Sequence, residues 1–202
     1  MSVVKLSLIG LLVVVACSAG LAYARAVNVW QLGHLDGVFN GFTVVVHAGQ
    51  ARRVSPHEST SGTVDGSDIT ITYGRPSMRG REIFGRLVPY GRVWCPGADE
   101  ATTLDSTLPL RLGDLMVPAG PHTIWILPTP DTWTLVVSKE SSGFHTNYNS
   151  SADLGRIEML KRTVTDPVEQ LTFAIVKNAT GTGGAISMTW ETTEVSVPFT
   201  VE

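Results

Sequence analysis

The chain has 202 residues, a 43% share of hydrophobic residues and a formal net charge of −3. This length allows one domain of ordinary size plus an appendage, and the hydrophobic share is enough for a core. The weak negative charge offers no long-range attraction for nucleic acid, so composition argues against that class of partner.

The first 25 residues contain an uncharged apolar run at residues 6–24, between Lys5 and Arg25. As a helix rising about 1.5 Å per residue, this run nearly matches the roughly 30 Å hydrocarbon thickness of a bilayer. We therefore predict a single apolar helix over residues 1–25, acting as a membrane anchor or a signal. The residues predicted to face the membrane are aliphatic: Leu6, Leu8, Ile9, Leu11, Leu12, Val13, Val14, Val15 and Leu21.

Three interpretations of this run stay open. The sequence Ala22-Tyr23-Ala24 is a small-x-small site typical of a cleaved secretory signal. Residues 14–17 resemble the lipobox of bacterial lipoproteins, in which the Cys17 thiol would carry the lipid. We favour an uncleaved anchor, in which small residues such as Gly10 and Gly20 would let a neighbouring membrane helix approach closely, although such residues are equally common in signal peptides. Since signal-like segments deliver the attached domain across the membrane, we expect a single-pass protein of the bacterial cell membrane with its domain in the periplasm.

Residues 26–54 form the next segment, an interfacial connector. Trp30, Phe39 and Phe42 are aromatic residues of the kind that sit at a membrane surface. Residues 42–48 suit a first strand, and the polar stretch 52–67 predicts a loop.

From residue 68 onward the pattern is one of short strands. Residues 68–73, DITITY, alternate apolar and polar side chains with the period of a half-buried strand. We predict further strands at 107–112, 122–127, 133–138, 156–164, 169–177, 185–190 and 193–200, separated by turn-forming residues. The fold class expected for residues 55–202 is mainly β, an antiparallel β-sandwich or jelly roll, preceded by the N-terminal helix.

An irregular loop at residues 73–104 interrupts these strands. Its many Gly and Pro residues exclude a long helix or strand, although a turn or two of helix fits residues 81–87. Guanidinium groups at Arg75, Arg79 and Arg81 suit a carboxylate or phosphate ligand. The alternative, which we favour, is that they bond backbone carbonyls and acids and so hold the loop in shape. The candidate interface or ligand loop comprises Arg75, Arg79, Arg81, Trp94, Cys95, Asp99 and Glu100.

No residue pattern specifies a catalytic site. Cys95 has acids but no cation beside it in sequence, so an inert thiol is favoured over a nucleophile paired with His122 or His145. Asp99, Glu100 and Asp153 are the carboxylates available for glycoside chemistry. The histidines lack the spacing of metal ligands, and motifs for nucleotides are absent from the sequence. We predict no catalytic residues, no metal and no cofactor.

The run YGRPSMRGREIFGRLVPYGRVW at 73–94, GADEATTL at 97–104 and VPAGPHTIWILP at 117–128 resemble a bacterial envelope family known as domain of unknown function 2911. DLGR at 153–156 and MTWE at 188–191 extend the resemblance, which covers about residues 55–201. It implies a β-sandwich behind a signal or lipoprotein peptide, and no established reaction. Family members usually carry Arg after the Trp; here Cys95 and Pro96 follow Trp94, so the loop lacks one strong donor.

We therefore predict a non-catalytic accessory subunit, not an enzyme, that packs on a larger integral membrane complex of photosynthetic or respiratory type. Its partners would be that complex and the lipid bilayer. The alternatives are a periplasmic binding module for an anionic or carbohydrate ligand, and an uncharacterised envelope hydrolase.

Overall fold

The structure is a computed structural model that describes residues 54–179 and 181–202 in full, together with the backbone of four short strands before them. The chain divides into two units, Met1–Arg52 and Arg53–Glu202. In the first unit, β1 (Ser2–Leu8) pairs with β2 (Leu11–Cys17), and β3 (Asp36–Phe39) pairs with β4 (Phe42–Val45), both antiparallel.

The predicted N-terminal helix is not supported, because β1 and β2 occupy much of the apolar run. The run contains Val13, Val14 and Val15 in succession, and β-branched residues favour strands. Within the described part of the chain, no helix is long and apolar enough to cross a membrane. The rest of the predicted anchor and connector, including Trp30, lies outside the described residues, as do the side chains of the predicted membrane-facing residues and of Cys17.

The second unit is built on one antiparallel sheet of nine strands, so the expectation of a mainly β fold is confirmed. Across the sheet the order is β5-β6-β7-β10-β11-β12-β13-β8-β9. The only helical turn in the described residues is a 3-10 turn at Ser150–Ala152. The strands are β5 (His57–Val64), β6 (Ser67–Gly74), β7 (Thr103–Ser106), β8 (Leu110–Leu112), β9 (Leu115–Val117), β10 (Gly120–Pro128), β11 (Trp133–Ser138), β12 (Asp153–Lys177) and β13 (Gly184–Val201).

The hairpin of β12 and β13 replaces four strands predicted separately. β12 pairs with β11 along its first part and with β13 from Leu160 onward, and its register shifts between Thr163 and Val168 and again before Thr172. Such shifts bend a strand without ending it. The second half of β12 thereby reaches β5 and β6, where the Thr60 hydroxyl donates to the Phe173 carbonyl at 3.2 Å.

Two local predictions on either side of β6 are wrong. Residues 57–64 are a strand rather than a loop, because their polar side chains pair across to β6; Ser59 and Ser61 lie 2.8 and 2.9 Å from the hydroxyls of Thr72 and Thr70. Residues 81–87 form turns rather than a helix.

The core is one large cluster of buried hydrophobic side chains, with a smaller separate cluster around Cys95. Ile69 and Ile71 on β6 are fully buried, as the alternating pattern predicts. Trp133 on β11 and Trp190 on β13 are its largest buried side chains. Phe84 comes from the irregular loop and packs edge-on against Trp133, with ring centroids 4.7 Å apart. The loop therefore contributes to the core.

Candidate functional site

The irregular loop leaves β6 at Gly74 and is attached first to β12. The Met78 N–H donates to the Glu169 carbonyl at 2.8 Å, and the Leu171 N–H donates to the Pro76 carbonyl at 3.0 Å. Arg75 adds bonds from its three guanidinium nitrogens to the Leu171 carbonyl, to Glu58 and to Thr172, at 3.0 to 3.1 Å. Arg75 is therefore occupied in holding the loop against the sheet.

Arg79 and Arg81 are less fully occupied. Arg79 uses one side-chain nitrogen, which donates to the Val54 carbonyl at 3.0 Å. Arg81 donates from Nε to the Met78 carbonyl at 2.9 Å and from Nη2 to the Ser77 carbonyl at 2.8 Å. A guanidinium group has five N–H donors, and both side chains are exposed, so each keeps donors for a ligand.

Two tryptophans, Trp94 and Trp190, line the same region of the surface as these arginines. Trp94 stacks on Trp190 with ring centroids 6.1 Å apart and planes within 17° of parallel. The Trp190 indole N–H donates to the Glu169 carbonyl at 3.1 Å, which fixes the buried ring. The backbone of Trp94 exchanges two 2.8 Å hydrogen bonds with Ile126 on β10. The half-buried Trp94 ring therefore has a rigid support.

A further wall is formed by residues 97–98 and His145. Gly74 must be glycine, because a methyl group there would overlap the Ala98 carbonyl oxygen. Asp99 has a positive φ of 66°, and its carbonyl accepts hydrogen bonds from the His145 backbone N–H at 3.0 Å and from His145 Nδ1 at 2.7 Å. A carbonyl can only accept, so Nδ1 carries the proton and Nε2 of the neutral ring is an acceptor.

These groups line a cleft of about 430 Å³, which we call the loop cleft. Its described lining includes two guanidinium groups and an imidazole but no carboxylate. The carboxylate of Glu169 accepts a hydrogen bond from the backbone N–H of the lining residue Arg79 at 2.8 Å. The main polar and aromatic members of the lining are Arg79, Arg81, Trp94, His145 and Trp190, and the exposed apolar residues Val54 and Leu87 also line the cleft.

Cys95 belongs to the loop but is buried and is not in the cleft lining. It is fully buried with Ala101, Trp125 and Val136, and the Thr102 N–H donates to its sulfur at 3.3 Å. Burial raises the pKa of the Cys95 thiol, which disfavours the thiolate. Cys95 is therefore buried, and its lack of reactivity stays a prediction.

The histidines proposed as partners of Cys95 bond elsewhere. The ring nitrogens of His122 lie 2.9 and 3.1 Å from the carbonyls of Ser138 and Pro118, and His145 bonds Asp99. A Cys-His nucleophile is therefore not supported.

Asp99 and Glu100 do not form a carboxylate pair in the cleft. Asp99 contributes its carbonyl, whereas the Glu100 side chain lies 3.4 Å from His57 Nδ1. Among the described residues, no group of three or more His, Cys, Asp or Glu side chains is arranged to hold a metal ion.

Sequence reasoning missed the roles of Glu169, Trp190 and the His145 acceptor. The run MTWE at 188–191 was a usable signal for Trp190 because it belonged to the resembling motifs. Glu169 and His145 carried no local signal, since their roles depend on contacts with residues far away in the chain.

A family model described as "Protein of unknown function (DUF2911)" matches residues 55–199. The chain belongs to this family. The DUF2911 match begins just before β5 and ends within β13, so it contains all five of the main polar and aromatic members of the loop cleft. No curated protein and no solved structure matches the chain.

Proposed function

We propose that this DUF2911 domain is a non-catalytic binding module that holds a small anionic ligand in the loop cleft. The observation that carries the proposal is the pair of guanidinium groups, Arg79 and Arg81, which keep unused donors beside a described lining without carboxylates. A guanidinium fork matches a carboxylate or a phosphate in charge and geometry. The cleft volume of about 430 Å³ suits a small molecule.

Calorimetric titration with cyclohexanecarboxylate and inorganic phosphate tests this proposal. We expect the double variant Arg79→Gln/Arg81→Gln to bind at least about tenfold more weakly, because charge-assisted hydrogen bonds are lost. The matched control is Arg86→Gln, since Arg86 lies on the same loop, pairs with Glu82 at 3.7 Å and is not in the cleft lining. Equal affinity of wild type and double variant would contradict the proposal.

We also propose that the domain is attached to a bacterial membrane at its periplasmic face and packs there on a larger assembly. Support comes from the apolar run at residues 6–24 and from the side-chain exposure of Leu87 and Phe144, 45% and 47%. Large exposed apolar residues are typical of docking surfaces when they cluster. Intact mass of the mature chain distinguishes retained, cleaved and Cys17-lipidated forms, and migration as a free monomer in mild detergent argues against the assembly.

For the fold, we infer that the nine-stranded sheet is folded over as a β-sandwich. Support comes from the hydrogen bonds that join the second half of β12 to β5, to β6 and to the residues after β6. In such a sandwich the loop cleft opens at one end of the two layers, beside the bend of β12 and β13.

A further inference from the structure

The loop cleft combines groups of two different kinds. Arg79 and Arg81 offer only donors and positive charge. In its neutral form His145 offers an acceptor, because the Asp99 carbonyl 2.7 Å from Nδ1 fixes the proton on that nitrogen. In the part of the chain that the structure describes, Nε2 of His145 has no hydrogen-bond partner. A ligand that satisfies the whole cleft must therefore carry both an acidic group and a hydrogen-bond donor.

The cleft also contains an aromatic surface, the Trp94 ring, which is half-buried and stacked on Trp190. Phe84 packs edge-on to both rings, with its ring centroid 6.2 Å from each of theirs. The indole therefore offers a supported platform rather than a slot between two aromatic faces. A saturated ring with C–H bonds on one face and hydroxyl groups at its edge suits such a platform beside polar groups.

We propose that the ligand is an acidic sugar, a hydroxylated ring bearing a carboxylate or a phosphate. Its acidic group binds Arg79 and Arg81, its C–H face lies on Trp94, and one hydroxyl donates to His145 Nε2. This inference rests on the proposed anion-binding function and names the class of ligand for the same cleft. His145 is then the residue that distinguishes a sugar acid from a plain acid.

The experiment is a titration of the full chain with four probes: glucuronate, glucose 6-phosphate, glucose and cyclohexanecarboxylate. Glucose keeps the hydroxyls without the charge, and cyclohexanecarboxylate keeps the ring and the acid without the hydroxyls. We expect at least one acidic sugar to bind at least about tenfold more tightly than either control, since each control leaves one group of the cleft unpaired. Glucuronate and glucose 6-phosphate separate the carboxylate source from the phosphate source.

Two substitutions assign the preference to His145. In His145→Phe, the ratio of glucuronate to cyclohexanecarboxylate affinity falls towards one. His145→Gln, which places a carbonyl oxygen near the position of Nε2, restores part of the ratio. Thermal unfolding of both variants checks the fold, and the Gln variant carries the test if the Phe variant does not fold.

The outcomes separate the two proposals. If cyclohexanecarboxylate binds as tightly as both acidic sugars, the sugar inference is overturned and the anion cleft stands. If His145→Phe leaves the ratio unchanged, His145 is not the discriminating residue and the inference also fails. If none of the three acids binds, the proposed function fails as well.

Discussion

Cys95 follows Trp94 in the irregular loop, and its surroundings give it a packing role. The thiol is fully buried and its hydrogen-bond partners are the backbone N–H and the hydroxyl of Thr102. Removal from water raises the pKa of the Cys95 thiol, which leaves little of the reactive thiolate at neutral pH.

Thiol labelling checks this assignment. In the full chain carrying Cys17→Ser, Cys95 is the single cysteine. We expect a disulfide reagent near neutral pH to label the folded protein far more slowly than free cysteine, because the sulfur is neither accessible nor ionised. Unfolding in guanidinium chloride should restore rapid labelling. Rapid reaction of the native protein would show that the thiol is reachable.

Gly74 is the residue on which the cleft wall depends most sharply. A methyl group at this position overlaps the Ala98 carbonyl oxygen, which belongs to backbone and cannot rotate away. We expect Gly74→Ala to reduce the free energy of unfolding by about 3 kcal/mol or more. The control is Gly62→Ala on β5, whose methyl would meet the Ile175 side chain at 3.3 Å, and we expect a change within about 1 kcal/mol. Urea denaturation measures the free energy of unfolding of both variants. Similar losses in Gly74→Ala and Gly62→Ala would contradict the predicted clash at Ala98.

At the scale of elements, strands with clear alternation could be predicted and polar or bent strands could not. Residues 68–73 alternate apolar and polar side chains, and β6 buries Ile69 and Ile71 as expected. β5 has no apolar stripe, because hydroxyl pairs with β6 take the place of apolar contacts. The β12 and β13 hairpin looked like four strands because a bulge interrupts the pattern while the hydrogen-bonded pairing continues.

An ion pair joins the two long strands near their bend. Arg162 on β12 donates to both carboxylate oxygens of Glu194 on β13, at 2.6 and 2.8 Å. Hydrogen bonding from Arg162 lowers the pKa of Glu194 below its ordinary value of 4.5. Because the pKa of Glu194 is lowered in the folded state, the ionised side chain stabilises the fold at pH values above its ordinary pKa. This stabilisation is lost as the pH falls through the lowered pKa.

Unfolding at several pH values tests this pair. We expect Glu194→Gln to be less stable than wild type at neutral pH by about 1 kcal/mol or less, since the arginine is largely exposed. The difference should shrink as the pH falls below 4.5. Glu158→Gln, at an exposed position on β12, serves as the control. If the stability difference between wild type and Glu194→Gln stays constant down to acidic pH, the charge of Glu194 is not its cause.

At the scale of the whole second unit, the loop cleft is assembled from segments far apart in the chain. The loop supplies Arg79, Arg81 and Trp94, β13 supplies Trp190, and the segment after β11 supplies His145. The sequence identified the loop by its composition, and with it three of these five residues. It could not identify the other two as cleft residues, because their positions result from the bent hairpin and from the Asp99 carbonyl that holds His145.

The most direct test of the anion-binding cleft follows the indole N–H signals in the NMR spectrum. The protein is titrated with glucuronate and, in a parallel experiment, with cyclohexanecarboxylate. The Trp94→Phe variant assigns the Trp94 signal, and buried Trp125, whose indole N–H donates to Thr123 at 3.4 Å, provides an internal reference. We expect at least one acid to shift the Trp94 signal in a saturable way while the Trp125 signal does not move. In Arg79→Gln/Arg81→Gln, we expect the Trp94 signal no longer to shift. A Trp94 signal that neither acid moves, or that still moves in the double variant, would contradict the proposed anion binding.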